Sequence, residues 1–325
     1  MNNHLAYLQA LLQSTIQELD FSAQPLELYE PINYIMRLGG KRMRPMLTLL
    51  GYQLFGEEVK KALQPALAVE IFHNFTLMHD DIMDKAPLRR NMPTVHHKWN
   101  ESVAILSGDV MLVKAYETLL QVEDKYLRQV IQKFNQCAIE VCAGQQWDMN
   151  FETLPTVTEK QYIEMIRLKT AVLLGFALAL GAILAGASQR EVQELERLGN
   201  FIGIAFQLKD DLLDVYGDTT KFGKQVGGDI IANKKTFLLI KAIELAQKEQ
   251  RATLNYWLNA TQFDKQQKVR AIMQVYDELN IKKITEQKIE SFFQQAFQVL
   301  DHINAPQERK NNLKEFIQFL IERES

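Results

Sequence analysis

Several things that other protein classes need are scarce in this chain. Only two cysteines, Cys137 and Cys142, occur in 325 residues. Their five-residue spacing fits neither a zinc site nor a redox pair, so no disulfide framework is possible and both are expected as reduced core residues. Glycine and proline number 15 and 8, against the roughly 23 and 16 that ordinary usage gives at this length. So few turn residues disfavour a sheet protein, and period-two apolar runs are absent as well. The net charge of −3 offers neither a nucleic-acid footprint nor an acidic tail, so an anionic partner must be met by local groups. The opening MNNHLAYLQALLQ has no basic start, continuous apolar core or cleavage site, which points to a cytoplasmic protein.

What the chain does contain is helical spacing from end to end. Leu5, Leu8, Leu12, Ile16 and Leu19 form one apolar stripe, and Leu313, Phe316, Ile317 and Leu320 another. Breaks are expected near residues 21–25, 39–40, 55–58, 86–93, 154–158, 186–188 and 216–228. None resembles a linker, so residues 1–325 are expected to form one all-α domain. One stretch, TAVLLGFALALGAILAGASQ at residues 170–189, is uncharged for long enough to cross a bilayer. Its many alanines and glycines, the lack of a second span and the absence of an aromatic belt favour a buried central helix and no membrane span.

Two short stretches break the apolar pattern in the same way. LMHDDIMD carries Asp80, Asp81 and Asp84, and QLKDDLLD carries Asp210, Asp211 and Asp214. In each, the first and last aspartates lie one turn apart on one helix face, with the middle one about 100° round. A lone cluster could be an N-cap or a solvated patch, but two matching copies in apolar surroundings point to chemistry. So many carboxylates repel one another unless cations intervene, and all-oxygen ligands suit Mg²⁺, which completes its shell with water and phosphate oxygens. A diphosphate is the expected partner. Asp81 and Asp211 point away from their neighbours and need not bind the same ion.

Basic groups supply a second anion site. GGKRMRP at residues 39–45 offers two glycines and then Lys41, Arg42 and Arg44, while PLRRNMPTVHH adds Arg89 and Arg90 just after Asp84. Near the second cluster, in GDTTKFGKQVGGD, five residues rather than four separate Gly217 from Gly223, and Gln225 stands where a nucleotide-binding loop needs Ser or Thr. It is not such a loop, and Lys224 and Lys234 remain as cations.

In order along the chain, GGKRMRP, HDDIMD, RRNMPT, LKT, FQLKDDLLD and GKQVGGD together resemble the motifs of trans-isoprenyl diphosphate synthases of the polyprenyl synthetase family. The resemblance implies a bundle of long helices around a central cavity, of the isoprenoid synthase type, and a homodimer. It implies that isopentenyl diphosphate is condensed head-to-tail with an allylic diphosphate (dimethylallyl, geranyl or farnesyl). By the same resemblance Asp80, Asp81, Asp84, Asp210 and Asp214 would hold three Mg²⁺ on the allylic diphosphate, with Asp211 in the same motif. Arg89, Lys169, Lys224 and Lys234 would clasp that diphosphate. Gly40, Lys41, Arg44, His73 and Arg90 would bind isopentenyl diphosphate, and Thr170 and Gln207 would stabilise the allylic cation. Asn91 stands where the family commonly has glycine, and asparagine tolerates positive φ.

The resemblance also puts the floor of the product tunnel at Phe75, five residues before Asp80, with Thr76 beside it and Phe72 one turn deeper. An ideal helical wheel instead points Thr76 and His73 along the aspartate face. One bulky residue beside a small one resembles synthases of geranylgeranyl diphosphate, the expected product, with farnesyl diphosphate as the alternative. More distant alternatives are a terpene cyclase, whose second motif normally mixes Asn, Ser and Glu; a phosphohydrolase using His73, His79 and Asp80; and a non-catalytic helical subunit.

Overall fold

The computed structural model describes residues 3–217 and 227–322. It is all-α, as expected, apart from one two-residue ribbon. The chain packs as two compact units.

The first unit comprises Met1–Cys137, Leu173–Gly199 and Val299–Phe319. It contains α1 (Asn3–Gln17), α2 (Leu26–Arg37), α3 (Met43–Gln53), α4 (Leu63–Met83), α5 (Val95–Lys98) and α6 (Glu101–Leu119). It also takes the first part of α7 (Asp124–Thr153), nearly all of α9 (Val172–Leu184) and the start of α10 (Gln189–Tyr216). The stripe Leu5, Leu8, Leu12 and Ile16 is the buried face of α1. In α3 every residue from Pro45 to Tyr52 is buried, the mark of a helix covered on all sides.

Helix α4 changes character along its length, and this is what makes a site. From Pro65 to Phe72 it is wholly buried. Beyond that point His73, Phe75, Thr76, His79 and Asp80 are only partly covered. Phe72 packs against Phe134 of α7, with ring centroids 5.0 Å apart, and Phe134 against Phe176 of α9 at 5.6 Å. Helix α6 runs along α4, and Asn100 caps it by accepting the Val103 amide at 2.9 Å.

The ribbon was not expected from the sequence. Strands β1 (Leu88–Arg89) and β2 (Met92–Pro93) pair antiparallel around Arg90 and Asn91, whose φ angles are 53° and 62°. Two successive positive φ angles define the tight turn whose twist matches such a ribbon, and Asn91 adopts it readily. Asparagine is among the non-glycine residues that tolerate such a φ best.

The second unit comprises Ala138–Val172, Asn200–Gln298 and Leu320–Ser325. After the rest of α7 come α8 (Glu159–Ile166), a π-helical turn (Arg167–Ala171) and the later part of α10. Then follow α11 (Gly228–Ile231), α12 (Phe237–Leu245), α13 (Lys248–Asn259), α14 (Lys265–Glu278) and α15 (Ile281–His302), which ends in the first unit. The last helix, α16 (Gln307–Glu322), lies mostly in the first. Helix α8 opens with a reciprocal capping box between Thr158 and Gln161. The π-helical turn is pressed by α7, because a Cβ on Gly144 would stand 2.2 Å from the Lys169 nitrogen. Only glycine permits that approach.

The long apolar stretch falls largely in α9. The segment Glu159–Leu184 is long and apolar enough to cross a membrane, and 83% of its most apolar window is buried within the protein. Cys137 is buried but Cys142 is exposed, which corrects the expectation of two core cysteines. Five residues advance a helix by about 140° beyond one full turn, so the two cannot share a face.

Candidate active site

The first aspartate cluster lies at the C-terminal end of α4, with Asp80 and Asp81 in its last turn and Asp84 as its cap. This is the negative end of the helix dipole, where carboxylates are disfavoured unless cations compensate them. One cation is supplied by the chain. Arg89 Nε donates to both oxygens of Asp81, at 2.9 and 2.8 Å, and its Nη2 stands 2.7 Å from Asp81 Oδ1 and 3.8 Å from Asp80 Oδ2. Burial pushes the Asp81 carboxyl up against the pull of Arg89. Burial also works against the Arg89 charge, yet contact with Asp81 raises its pKa above the ordinary value. Asp81 thus serves to hold Arg89.

The basic motif is built in the same unit. Arg42, at φ 48°, turns inward and bonds Glu70 of α4 at 2.5 Å and the Met36 carbonyl at 2.6 Å, and both charged side chains are buried. Asn74 donates to the same Glu70 oxygen at 3.1 Å. Arg42 therefore anchors the loop, while Lys41 is exposed and Arg44 reaches His73, with Nη1 to Nε2 at 3.0 Å. Burial lowers the Arg44 pKa to about 10. Burial and the facing guanidinium groups of Arg44, Arg90, Arg89 and Arg42 hold His73 well below the usual histidine range, so it is neutral. Arg90 donates to the Gly39 carbonyl, and its guanidinium covers Gly40 so closely that a Cβ there would meet it at 2.8 Å. Gly40 is required by its φ of 131°, and a side chain there would push the Arg90 guanidinium aside. So many cations around one glycine turn form a ready anion site.

The second cluster lies in the later part of α10. Asp210 is partly exposed and Asp211 is buried. Asp211 accepts from Tyr162 of α8 and, at 3.0 Å, from Gln207 Nε2, while Thr170 Oγ1 donates to Gln207 Oε1 at 3.1 Å. Burial, then the nearby Asp229, raises the Asp211 carboxyl above its ordinary range. Asp214 Oδ2 accepts the Asp229 amide at 2.9 Å, tying the aspartate motif to the GGD segment. Lys169 Nζ stands 2.6 Å and Lys234 Nζ 3.7 Å from one oxygen of Asp148. Lys224 lies outside the described residues.

Tyr162, Asp148, Glu70 and the anchoring role of Arg42 carried no signal in the sequence, because each depends on a partner distant along the chain. His79 contacts the Ile105 carbonyl at 3.1 Å and the Phe75 ring at 4.8 Å. Phe75 also meets Phe72 at 5.6 Å, so Phe72, Phe75 and His79 form one stripe of α4. Thr76 donates to the His73 carbonyl at 2.8 Å.

Among the described residues no three His, Cys, Asp or Glu side chains are grouped so as to chelate an ion by themselves. An all-oxygen donor set on one exposed helix end does fit Mg²⁺, which is typically held by one or two carboxylates together with substrate phosphates.

Comparison with known proteins identifies the family. The Polyprenyl synthetase family model matches residues 25–276. A geranylgeranyl diphosphate synthase of Methanosarcina mazei is 42% identical over 235 residues, 72% of each chain. A short chain isoprenyl diphosphate synthase of Methanocaldococcus jannaschii is 40% identical over 230 residues, 70% of each. A crystal structure of a geranylgeranyl pyrophosphate synthase superposes with a TM-score of 0.94 at 40% identity, covering 100% of both chains. Motifs, fold and relatives agree: the chain belongs to the polyprenyl synthetase family and is a prenyl-transferring enzyme.

Proposed function

We propose that this enzyme condenses isopentenyl diphosphate with allylic diphosphates to make geranylgeranyl diphosphate. The arrangement that carries the reading is the division of labour in the first unit. Arg89 is held beside the aspartates by Asp81, whereas Arg44, His73, Arg90 and the Gly39-Gly40 turn form a separate anion site. Two diphosphates need two such sites. The allylic diphosphate would be gripped by Arg89, Lys169 and Lys234, and the isopentenyl diphosphate by Lys41, Arg44 and Arg90, with neutral His73 as a hydrogen-bonding partner.

Asp80, Asp84 and Asp210 would hold the metal ions, three in number, with Asp214 in the same set. Bound Mg²⁺ would supply Lewis-acid charge to the departing diphosphate. Thr170 and Gln207 would direct their dipoles at the allylic carbons as positive charge develops. Among the described groups none stands out as a separate base, so the released diphosphate would take the proton.

The C20 product is supported by the names of the relatives and by the sequence of α4, where bulky Phe75 is followed by small Thr76. A homodimer is supported by exposed Leu106, Val113 and Leu120, seven residues apart along α6 and its cap, an apolar stripe suited to a partner helix. The family model spans parts of both units, which supports one functional domain. We place the reaction in the cytoplasm, where the free cysteines remain reduced. Release of inorganic diphosphate should require both substrates. Release from the allylic substrate alone would indicate a cyclase instead.

A further inference from the structure

Asp211 and Tyr162 form a buried pair that none of the expected metal or substrate contacts uses. Tyr162 donates its hydroxyl hydrogen to one Asp211 oxygen, and Gln207 Nε2 donates to the other at 3.0 Å. Both residues are buried. In its ionised form Asp211 accepts and does not donate, so the Gln207 side chain then presents its NH₂ to Asp211 and its carbonyl to the opposite side. That carbonyl then accepts the Thr170 hydroxyl hydrogen at 3.1 Å. The hydroxyl hydrogen being committed, Thr170 can offer only lone pairs to a third group. With the amide reversed, Thr170 would accept from Gln207 and turn its hydrogen outward.

We propose that Tyr162 and Asp211 are positioning residues whose hydrogen-bonded chain fixes the amide of Gln207, so that the Thr170 oxygen presents its negative side to the developing allylic cation. The proposal deepens the functional reading above and rests on it. A preoriented dipole of the right sign stabilises charge without reorganisation at the moment of reaction, whereas a reversed one opposes it. The chain thus explains why the second aspartate of this motif is turned away from the ligand face. It contributes to the chemical step without binding metal or substrate.

The test is a double-mutant cycle. Asp211→Asn can accept or donate, so it lets the Gln207 amide take either orientation. It should lower kcat about tenfold or more, with the KM of both substrates and the Mg²⁺ requirement unchanged. Thr170→Val removes the hydroxyl on which the chain acts. In that background Asp211→Asn should have no further effect on kcat, whereas with Thr170→Ser the effect should persist. Tyr162→Phe, a milder change, provides a second cycle with Thr170→Val should Asp211→Asn fail to fold. Rate losses that multiply in the double variant would overturn the proposal, as would a raised Mg²⁺ requirement or allylic KM in Asp211→Asn. A wild-type enzyme that forms no prenyl diphosphate from the two substrates would instead refute the functional reading itself.

Discussion

Arg89 grips both oxygens of Asp81, and on the proposed reading that grip would let the second residue of the first aspartate motif act on substrate through an arginine. Asp80 and Asp81 should therefore fail in different ways. Asp80→Ala should lower turnover by at least about 10²–10³, the cost of losing one electrostatic contact in such a site. It should leave the fold intact, because a carboxylate at the negative end of α4 is relieved. Asp81→Asn should mainly raise the allylic KM by loosening Arg89. Steady-state kinetics with a thermal melt of each variant separates the two, and equal loss of kcat in both would contradict the distinction.

The adjacent arginines should divide between the substrates. A charge-assisted hydrogen bond is worth about 1.5–3 kcal/mol, roughly ten- to a hundredfold in affinity. Arg90→Ala should therefore raise the KM for isopentenyl diphosphate by that factor, and Arg89→Ala the KM for the allylic substrate. Each is read by varying one substrate at saturation of the other. Equal effects on both constants would merge the two sites.

The sequence made the chemistry more legible than its supports. Paired aspartates, clustered cations and sparse turn residues are local patterns, and they pointed to the helices, the diphosphate and the family. Glu70 under Arg42, Asp148 between two lysines, and Tyr162 under Asp211 are each made by packing of segments distant along the chain, and no local pattern reports such pairs. The widened turn at Arg167–Ala171 was hidden for the same reason, since Gly144 presses on it from another helix. The exposure of Cys142, by contrast, was readable from helical geometry alone.

The buried pair of Arg42 and Glu70 holds the basic loop on α4, so breaking one side should cost stability as well as binding. Removing a single partner leaves a buried charge uncompensated, at about 3–5 kcal/mol. Glu70→Ala should show this in urea unfolding. A loss below about 1 kcal/mol would mean that solvent reaches Arg42.

Neutral His73 gives a pH signature. Its pKa is depressed in the folded state, by burial first and by the facing arginines next, so the unfolded chain binds a proton more readily below the ordinary histidine pKa of about 6.5. Stability attributable to His73 is complete above that value and falls as the pH drops toward the folded pKa. His73→Gln should flatten the melting temperature over this acid window. An identical slope in wild type and variant would place the acid sensitivity elsewhere.

Product length should follow the stripe of α4 upstream of Asp80. An isoprene unit extends roughly 5 Å, close to the ~5.4 Å pitch of a helix, so one turn corresponds to about one condensation. Phe75→Ala should lengthen the product and Thr76→Phe shorten it. An unchanged product ladder in Phe75→Ala would transfer the floor to Phe72, whose ring touches Phe75.

The most direct test of the functional reading is mass spectrometry of the products that the purified chain forms from labelled isopentenyl diphosphate and dimethylallyl diphosphate in Mg²⁺. The expected result is an all-trans C20 diphosphate containing three labelled units, absent when Asp80→Ala or Asp210→Ala replaces the wild type. A wild-type chain that consumes neither substrate, or aspartate variants that form the same product at the wild-type rate, would contradict it.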